Sequence, residues 1–264
     1  MSFILLLGVL LISGFAYKTK KLTRSGAVAA VVVGTFIALG LGLYGLLLLA
    51  LFFLSSTLVG LLRRKHEQVG EEISAKGDCR DAFQVLANGG VAALLSLIYL
   101  IIPSPMLICG FIASIAAANA DTWASEIGSL SKSQPFHMIK WRRVPAGTSG
   151  AMSTVGTAAA FAGSFVISVL SIFFWLGSHY NSHILLIALI VCGFVGNLFD
   201  TLLGGTGQVV YRCPVCGLET ERKKHCDTES KRIYGLTWMN NDIVNLCCSA
   251  IGAILGIVTG SLFL

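Results

Sequence analysis

The sequence predicts an all-α polytopic membrane protein with about eight transmembrane helices and a small cytoplasmic insert that resembles a zinc knuckle. Of its 264 residues, 55% are hydrophobic and only 12% are charged. A soluble domain usually has about a quarter of its residues charged, so this chain is too apolar to remain in water. We interpret it as one membrane domain over residues 1–264, with a cytoplasmic loop insert at residues 205–238.

The charged residues fall in four stretches, which together contain all 19 Lys and Arg and all 13 Asp and Glu. Because short basic loops stay in the cytoplasm, we expect all four on the cytoplasmic face of the cell membrane. The net charge of +6 arises beside helix ends, where basic residues orient helices and attract anionic lipid. We therefore expect the lipid bilayer, and no nucleic acid, as a partner. The stretches are Lys18 to Arg24, Arg63 to Asp81, Asp121 to Arg143 and Asp200 to Asp242.

Apolar runs close to the roughly 20 residues that a membrane helix needs occur eight times. Uncharged outer turns are expected at Leu43, at Pro103 to Pro105 and at Gly177 to Ser182. An even number of spans with basic loops inside places both termini outside. The predicted spans are Ser2 to Tyr17, Gly26 to Gly42, Tyr44 to Leu62, Ala82 to Ile102, Pro105 to Ala120, Thr154 to Trp175, His183 to Leu203 and Ile243 to Phe263.

The first run could instead be a signal peptide. A signal peptide needs a basic segment before its apolar run and a small-residue cleavage site after it. Here the basic residues Lys18, Lys20 and Lys21 follow the run, so we predict a retained helix.

Three predicted spans carry acidic and amide side chains at their cytoplasmic ends. An ionisable residue costs about 3 kcal/mol at the centre of a membrane helix, which makes such residues functional candidates. Asn197, Asp200 and Thr201 share one helix face, and several carboxylate and amide oxygens together suit Mg²⁺. The set comprises Asn119, Asp121, Ser125 and Glu126 after the fifth span, Asn197, Asp200 and Thr201 in the seventh, and Asn241, Asp242 and Asn245 in the eighth.

Each of these motifs also has a structural interpretation. Asn and Asp cap helices, and polar side chains tie membrane helices together through hydrogen bonds. Gln84 and Asn88 add a further polar stripe at the start of the fourth span. Because four such motifs converge on one membrane face, we favour a binding site.

Small residues precede the sixth span at Gly147, Thr148, Ser149 and Gly150. A helix N-terminus with free backbone N–H groups binds anions, and the upstream Arg142 and Arg143 can neutralise phosphate. The segment lacks the Lys of a Walker A loop, and the same residues are also common helix caps. Together with the acidic residues on the same face, they indicate a nucleotide or polyphosphate site.

The insert contains Cys213, Cys216, His225 and Cys226. Three thiolates and one imidazole form a complete tetrahedral shell, so we predict structural Zn²⁺. The alternatives are unligated cysteines or a redox pair. A closed shell leaves no open position for catalysis, so the metal is expected to fold the loop.

These motifs resemble the integral membrane family called domain of unknown function 92, which includes plant phytyl-phosphate kinase and animal transmembrane protein 19. The resemblance runs from the second span to the last and indicates no particular oligomeric state. The motifs that carry it are Gln84 to Gly89, Ala120 to Gly128, Gly147 to Gly150, Asp200 to Gly204 and Asn240 to Asn245.

The resemblance implies Mg²⁺-dependent transfer of the terminal phosphoryl group of a nucleoside triphosphate, with CTP the expected donor, to an isoprenoid (prenyl or phytyl) monophosphate. Such transfer depends on positioning and charge rather than on covalent help from the protein. The implied roles are as follows: Asp121, Glu126, Asp200 and Asp242 hold one or two Mg²⁺; Asn119, Ser125, Asn197, Thr201, Asn241 and Asn245 complete the shells or bind phosphate; Arg142, Arg143 and Gly147 to Gly150 hold the nucleotide; and Arg80, Gln84 and Asn88 hold the acceptor headgroup.

Three other functions fit the same residues. A cytidylyltransferase would use the same cation and CTP but release pyrophosphate. A prenyl-alcohol kinase would need a carboxylate base to activate the hydroxyl. A transporter is the alternative from a different class, because intramembrane Asp and Asn also mark ion pathways.

Overall fold

A computed structural model describes residues 3–64, 79–176 and 182–264. Over these residues the protein is mostly helical, and six helices are long and apolar enough to cross a membrane. The predicted start of the first span at Ser2 and most of the predicted turn at Gly177 to Ser182 lie outside the described residues. The helices are α1 (Phe3–Lys18), α2 (Arg24–Arg64), α3 (Ala82–Ile101), α4 (Pro105–Gly128), α5 (Thr154–Ser171, continued by a π-helical turn Ile172–Leu176), α6 (Ser182–Thr206) and α7 (Asn241–Phe263).

Helix α2 is interrupted at Gly42, where φ is 62° and ψ is −143°. Glycine adopts a positive φ readily because it has no Cβ. Gly26, near the start of α2, lies against the Arg80 carbonyl, and Gly60, near its end, lies against the Glu126 carboxylate. The Arg80 and Glu126 side chains also interact electrostatically with each other. Both ends of α2 therefore lie at the same end of the protein, and the chain reverses at Gly42.

Helix α4 occupies the centre of the bundle and contacts α2, α3, α5, α6 and α7. Its thirteen residues from Ile108 to Ala120 are all buried. Small residues allow the neighbouring helices to approach closely. For example, a Cβ on Gly252 of α7 would lie 2.7 Å from the carbonyl oxygen of Ala113. This close packing brings the polar ends of α4, α6 and α7 together.

Helix α1 has 16 residues, which is shorter than the six long helices. It packs on α2, where the Val9 side chain lies against Gly34. Within the described ranges six helices are long and apolar enough to cross a membrane, and one of them, α2, contains the reversal at Gly42. The polytopic helical fold is confirmed, and the count of eight spans stays a prediction.

Two connections contain small antiparallel sheets. The α4–α5 connection contains β1 (Phe136–His137), β2 (Arg142–Arg143) and β3 (Ala151–Met152), which form a sheet of order β2-β1-β3. The α6–α7 connection contains β4 (Val210–Arg212), β5 (Glu219–Thr220), β6 (Lys224–His225), β7 (Thr228–Glu229) and β8 (Lys231–Tyr234). These strands form a sheet of order β5-β4-β8 and a β6-β7 hairpin. The two connections touch where Gly150 lies against Gly205.

Candidate active site

Two carboxylates from different helices meet at one end of the bundle. Asp121 of α4 and Asp200 of α6 lie within hydrogen-bonding distance of each other, and both side chains are half-buried. We call this pair the acidic centre. Two like charges 4 Å apart repel by about 4 kcal/mol near a protein surface. A shared proton or a bound cation therefore stabilises the pair.

Two asparagines hold the acidic centre from either side. Asn197 Nδ2 donates to Asp121 Oδ1 over 3.2 Å. Asn245 Nδ2, with its amide oriented so that the nitrogen faces the carboxylate, donates to Asp200 Oδ1 over 3.2 Å and to the Asn241 carbonyl over 3.1 Å. Helices α4, α6 and α7 thus all contribute polar side chains here, as the sequence pattern indicated.

The Asn197 amide has a second feature that bears on ligands. Its side chain is 1% exposed, and among the described residues its Oδ1 has no hydrogen-bond donor. A buried carbonyl oxygen without a partner is costly, and a bound water or ion is one way to satisfy it. This oxygen and the two carboxylates form an all-oxygen donor set, which fits Mg²⁺.

Three other predicted site residues form hydrogen bonds within the bundle. Asn119 is fully buried, its Oδ1 accepts from Ser55 Oγ over 2.9 Å, and its Nδ2 donates to the Gly163 carbonyl over 2.8 Å. The Thr201 and Ser125 hydroxyls donate to backbone carbonyls of their own helices. Asn119 therefore joins α4 to α2 and α5, which is the packing role that polar side chains often take in membrane helices.

Glu126 is engaged with arginines. Its Oε2 lies 3.1 Å from Arg63 Nε, and its charge also acts on Arg80. The Arg80 guanidinium lies 5.9 Å and 5.7 Å from the ring centroids of Phe52 and Phe53. Burial lowers the pKa of Arg80, and the Glu126 charge opposes that shift. Two arginines and one glutamate, with a net positive charge, therefore lie together at one end of the bundle.

The predicted acceptor residues Gln84 and Asn88 lie in the first two turns of α3. Asp81 Oδ1 accepts from Gln84 N over 3.0 Å, and Gln84 Oε1 accepts from Asp81 N over 3.1 Å. This reciprocal pair is a capping box, which starts the helix. Asn88 Nδ2 donates to the Gln84 carbonyl over 2.9 Å. Both side chains are half-buried, and Arg80 immediately precedes the capping residue Asp81 in sequence.

The start of α7 contains the two remaining predicted ligands. Asn240 caps this helix by accepting from Ile243 N over 3.1 Å. Asn241 is exposed and Asp242 is half-buried. An acidic side chain in the first turn interacts favourably with the helix dipole. Asp242 thus has a local role at the N-terminus of α7.

The predicted phosphate segment forms the turn before β3. Gly150 has a φ of 80°, and a Cβ there would collide with the backbone of Gly205, so only glycine fits. The Thr148 hydroxyl donates to the Pro145 carbonyl over 2.7 Å. Ser153 then caps α5, and its Oγ accepts from Gly156 N over 3.0 Å. The turn therefore lies against the end of α6, the helix that carries Asp200.

The predicted phosphate-binding arginines lie on the exposed strand β2. Arg142 and Arg143 are both exposed, and Arg143 Nη1 donates to the Gln134 carbonyl over 2.8 Å. Exposed guanidinium groups are accessible to a phosphate from solution.

His137 carries no motif, yet its imidazole is fully buried beside Gly150 and Gly205. Its Nδ1 accepts from the backbone N–H groups of Ile139 and Lys140 over 3.2 Å and 3.3 Å, which places the proton on Nε2. Burial, then the charges of Lys140 and Arg142, lower the pKa of His137. Its neutral form is therefore the one that fits the fold.

Glu221 of the insert also reaches this region. Its charge contributes to the electrostatic environment of Asp200. Gln208 is 3% exposed, and its Nε2 donates to Glu221 Oε1 over 2.6 Å. A single glutamate in a charged loop has no sequence signature, so only the docking of the insert reveals this neighbour.

The insert gathers its thiols and imidazole into one cluster, which we call the thiol cluster. The ligand atoms of Cys213, Cys216, His225 and Cys226 all lie within 4.8 Å of one another. Thiolates lie about 2.3 Å from zinc, so the ligand atoms of a tetrahedral shell are roughly 3.8 Å apart. The four residues therefore fit one zinc ion.

The thiol cluster also favours thiolate formation at one position. A hydrogen bond from the Cys216 backbone N–H, opposed by burial, lowers the pKa of Cys213 to about 6. Burial and the neighbouring thiols Cys216 and Cys213 raise the pKa of Cys226 to about 11. A positive charge at the centre of the cluster would favour the thiolate form of all three cysteines.

The fold and the site define a polytopic α-helical membrane protein with an acidic, amide-lined centre at one end of its bundle. The family described as integral membrane protein DUF92 matches residues 7–253, so the chain belongs to that family and the resemblance is confirmed.

Several relatives match most of the chain. Protein PGR of Arabidopsis thaliana is 31% identical over 89% of this chain and 88% of its own length. An uncharacterized membrane protein of Methanocaldococcus jannaschii is 30% identical over 96% of this chain and 93% of its own length. Protein VTE6, chloroplastic, of Arabidopsis thaliana is 28% identical over 90% of this chain and 65% of its own length. No solved structure matches.

Proposed function

We propose that this protein transfers the terminal phosphoryl group of a nucleoside triphosphate, with CTP the expected donor, to an isoprenoid (prenyl or phytyl) monophosphate and so forms the diphosphate. The observation that carries the proposal is the acidic centre with Asn197 Oδ1 beside it, a buried oxygen that receives no hydrogen bond within the described part of the chain. The resemblance to a family that includes a phytyl-phosphate kinase supports the substrate class.

The chemistry needs charge neutralisation more than acid–base groups. An oxygen of the acceptor phosphate attacks the γ-phosphorus, the bond from that phosphorus to the β,γ-bridging oxygen breaks, and the nucleoside diphosphate leaves. The acceptor phosphate is already ionised at neutral pH, so no general base is required. Mg²⁺, when bound, would neutralise the charge on the phosphates. Asp121, Asp200 and Asn197 would hold it, with Asp242 and Asn241 as further ligands from α7.

Two cationic surfaces would hold the two phosphate substrates. For the nucleotide we assign Arg142, Arg143 and the segment Gly147 to Gly150, which adjoins the end of α6. For the acceptor headgroup we assign Arg80, Gln84 and Asn88. Glu126 would orient Arg80 through their electrostatic interaction. The isoprenoid chain would lie along the apolar helix surfaces within the bilayer.

We further propose eight membrane spans, with both termini outside the cell membrane and the acidic centre facing the cytoplasm. The reversal at Gly42 supports two spans within α2. The concentration of all Lys and Arg in four connecting stretches supports the orientation. Residues 205–238 would form a cytoplasmic insert folded by Zn²⁺ bound to Cys213, Cys216, His225 and Cys226.

The test is an assay of purified protein with Mg²⁺, γ-labelled CTP or ATP, and a panel of isoprenoid monophosphates and alcohols. We expect labelled isoprenoid diphosphate and unlabelled nucleoside diphosphate from the wild type. Asp121→Asn and Asp200→Asn should lose this activity, whereas Glu229→Gln, which alters an exposed carboxylate on β7, should retain it.

Other products would replace the proposal with one of its alternatives. Pyrophosphate together with a cytidylated lipid would identify a cytidylyltransferase. Label on the alcohols rather than on the monophosphates would identify an alcohol kinase. Solute flux into sealed vesicles with no nucleotide turnover would identify a transporter.

A further inference from the structure

We infer that residues 136–143 of the α4–α5 connection form an interfacial anchor that binds the headgroups of anionic lipids. This segment contains β1, β2 and the turn between them, and we call it the basic hairpin. The inference goes beyond the proposed function, because it concerns a contact with the bilayer surface rather than phosphoryl transfer. It requires that α6 crosses the membrane, but it does not require that the acidic centre is catalytic.

The basic hairpin exposes apolar and cationic side chains together. Trp141 is 80% exposed, Ile139 44% and Phe136 40%. An exposed apolar patch on a connection between helices marks a surface that contacts a partner. Aromatic residues flanked by Lys and Arg are typical of segments at the membrane interface, and basic residues are attracted to anionic lipids. The hairpin has no acidic residue and three exposed cations, which are Lys140, Arg142 and Arg143.

The basic hairpin lies at the depth of the lipid headgroups. It packs on the last turn of α6, where His137 Cε1 and Ile139 Cγ1 lie 3.2 Å and 3.4 Å from the position that a Cβ on Gly205 would occupy. Residues 184–203 of α6 span about 30 Å at about 1.5 Å per residue, which matches the hydrocarbon core of a bilayer. Gly205 therefore lies about 3 Å beyond this core, within a headgroup layer about 5 Å thick.

The shape of the basic hairpin is fixed by hydrogen bonds. Trp141 N donates to the His137 carbonyl over 3.0 Å and closes the turn. Inside the turn, His137 Nδ1 accepts from the backbone N–H groups of Ile139 and Lys140. Lys140 Nζ lies 5.8 Å from the ring centroid of Tyr234, whose hydroxyl donates to the backbone of α6 over 3.2 Å. The turn therefore presents Trp141 on a rigid support beside the end of α6.

The backbone at Trp141 indicates a role outside the fold. Its φ is 49°, which lies in the left-handed region. A bulky side chain is unfavourable there, whereas Gly or Asn fits without strain. The Trp141 ring meets the Phe136 ring edge-on, with 5.8 Å between the centroids, and still remains 80% exposed. Strained residues cluster at positions that bind a partner, and a tryptophan at a membrane surface has such a partner in the lipid headgroups.

A second exposed tryptophan lies at the same end of α6. Leu236 N donates to the Gly207 carbonyl over 2.9 Å, just beyond the last residue of this helix. Leu236 is 49% exposed, and Trp238, two residues later, is 61% exposed. Two tryptophans from separate connections at one helix end are the arrangement of an aromatic belt at a membrane surface.

The experiment is photo-crosslinking of the full-length protein in nanodiscs. One preparation contains phosphatidylglycerol with a photoreactive headgroup, which is anionic, and the other contains photoreactive phosphatidylcholine, which is zwitterionic. Peptide mapping by mass spectrometry locates the label. We expect phosphatidylglycerol to label residues 136–143 several times more than phosphatidylcholine does, and we expect this ratio to fall at high salt because salt screens exposed charges.

Two matched variants test the charge of the basic hairpin. Lys140→Gln should lower the ratio of phosphatidylglycerol label to phosphatidylcholine label by about 5-fold, which is the contribution of one basic residue near an anionic surface. Lys132→Gln removes an exposed charge from the same connection outside the hairpin and should leave the ratio unchanged. A ratio of one in the wild type, or equal effects of the two variants, would overturn the inference.

Trp141→Asn separates lipid binding from folding. Asn adopts a positive φ readily, so the melting temperature in detergent should not fall. Label on the hairpin from both lipids should decrease, because the indole that enters the headgroup layer is removed. A lower melting temperature with unchanged label would assign Trp141 to the fold and overturn the inference.

A photoreactive CTP analogue tests the competing partner, since the proposed function assigns Arg142 and Arg143 to the nucleotide. Label on Trp141 from this analogue, with no label on the hairpin from either lipid, would overturn the inference and give Trp141 a nucleotide as its partner. None of these measurements depends on turnover, so failure of the inference leaves the proposed function standing.

Discussion

The acidic centre and the thiol cluster are both candidate metal sites, and they are built in opposite ways. The acidic centre and the asparagines that hold it come from distant parts of the chain. Asp121, for example, is 76 residues away in sequence from its hydrogen-bond donor Asn197, which lies on a different helix. The four ligands of the thiol cluster come from one short loop, Cys213 to Cys226. Oxygen donors suit Mg²⁺, whereas thiolates and imidazole suit zinc.

We infer from this difference that the acidic centre serves catalysis and that the thiol cluster serves folding of the insert. Carboxylates held by helix packing exist as a site only when the whole bundle is assembled, and their oxygen shell leaves positions for phosphate oxygens. A Cys3His shell is complete without substrate, and structural zinc contributes directly to folding. We therefore expect mutations in the acidic centre to affect activity and mutations in the thiol cluster to affect the insert.

The largest expected effect comes from neutralising the acidic centre. Asp200→Asn and Asp121→Asn should each lower turnover by at least about 100-fold, because they remove charge that holds the cation at the reacting phosphates. Zinc content should stay at the wild-type level in both variants. Turnover within a few-fold of wild type in either would contradict a catalytic acidic centre.

A smaller effect should follow loss of the thiol cluster. Cys216→Ser should lose zinc and lower turnover by about 10-fold, since the loop that the cluster folds is hydrogen-bonded to the end of α6, the helix that carries Asp200. Cys247→Ser, in α7 and outside the cluster, is the matched control and should keep both zinc and activity. If Cys216→Ser loses zinc and keeps full activity, the two sites are independent.

Asn119 and Asn197 are both buried, but we expect Asn119 to support the stability of the fold and Asn197 to support Mg²⁺ binding. Asn119→Ala should lower stability by about 1 kcal/mol through lost interhelical hydrogen bonds, with Mg²⁺ affinity unchanged. Asn197→Ala should weaken Mg²⁺ binding, because its Oδ1 is the buried acceptor beside Asp121. Thermal unfolding in detergent and metal titration measure the two quantities. Equal effects of both variants on Mg²⁺ affinity would contradict the assignment.

The smallest expected effect is a pH dependence of stability. Burial lowers the pKa of His137 below its ordinary value of 6.5, so below pH 6.5 the unfolded chain binds a proton that the folded chain excludes. The wild type should therefore lose stability as the pH falls from 7.5 to 5.5. His137→Asn, whose side-chain oxygen can replace Nδ1 as acceptor, should lose less. An identical pH dependence of the melting temperature in both proteins would refute this.

Much of the helical framework was predictable, because apolar runs of membrane length are a strong signal. The predicted span Ala82 to Ile102 corresponds to α3 (Ala82–Ile101) within one residue. The predicted span Pro105 to Ala120 ended too early, since α4 continues to Gly128. Hydropathy marks where apolar residues stop, whereas the polar residues that follow remain helical because their backbone hydrogen bonds continue.

The sequence allowed only part of the residue set at and around the acidic centre to be predicted. Helical spacing pointed to Asp200 and Asn197 on one face, and the structure brings them to Asp121. The same spacing could not separate Asn119, which is used for packing, from Asn197, because both look alike in sequence. Glu221 was not predictable, since its position depends on how a loop docks against a helix end.

The most direct test is a structure determined with Mn²⁺ and a nucleotide bound, with anomalous scattering recorded at the manganese and zinc absorption edges. We predict a manganese peak between Asp121 and Asp200 and a zinc peak among Cys213, Cys216, His225 and Cys226. A manganese peak elsewhere, with none at the acidic centre, would contradict the central proposal that these carboxylates hold the cation for phosphoryl transfer.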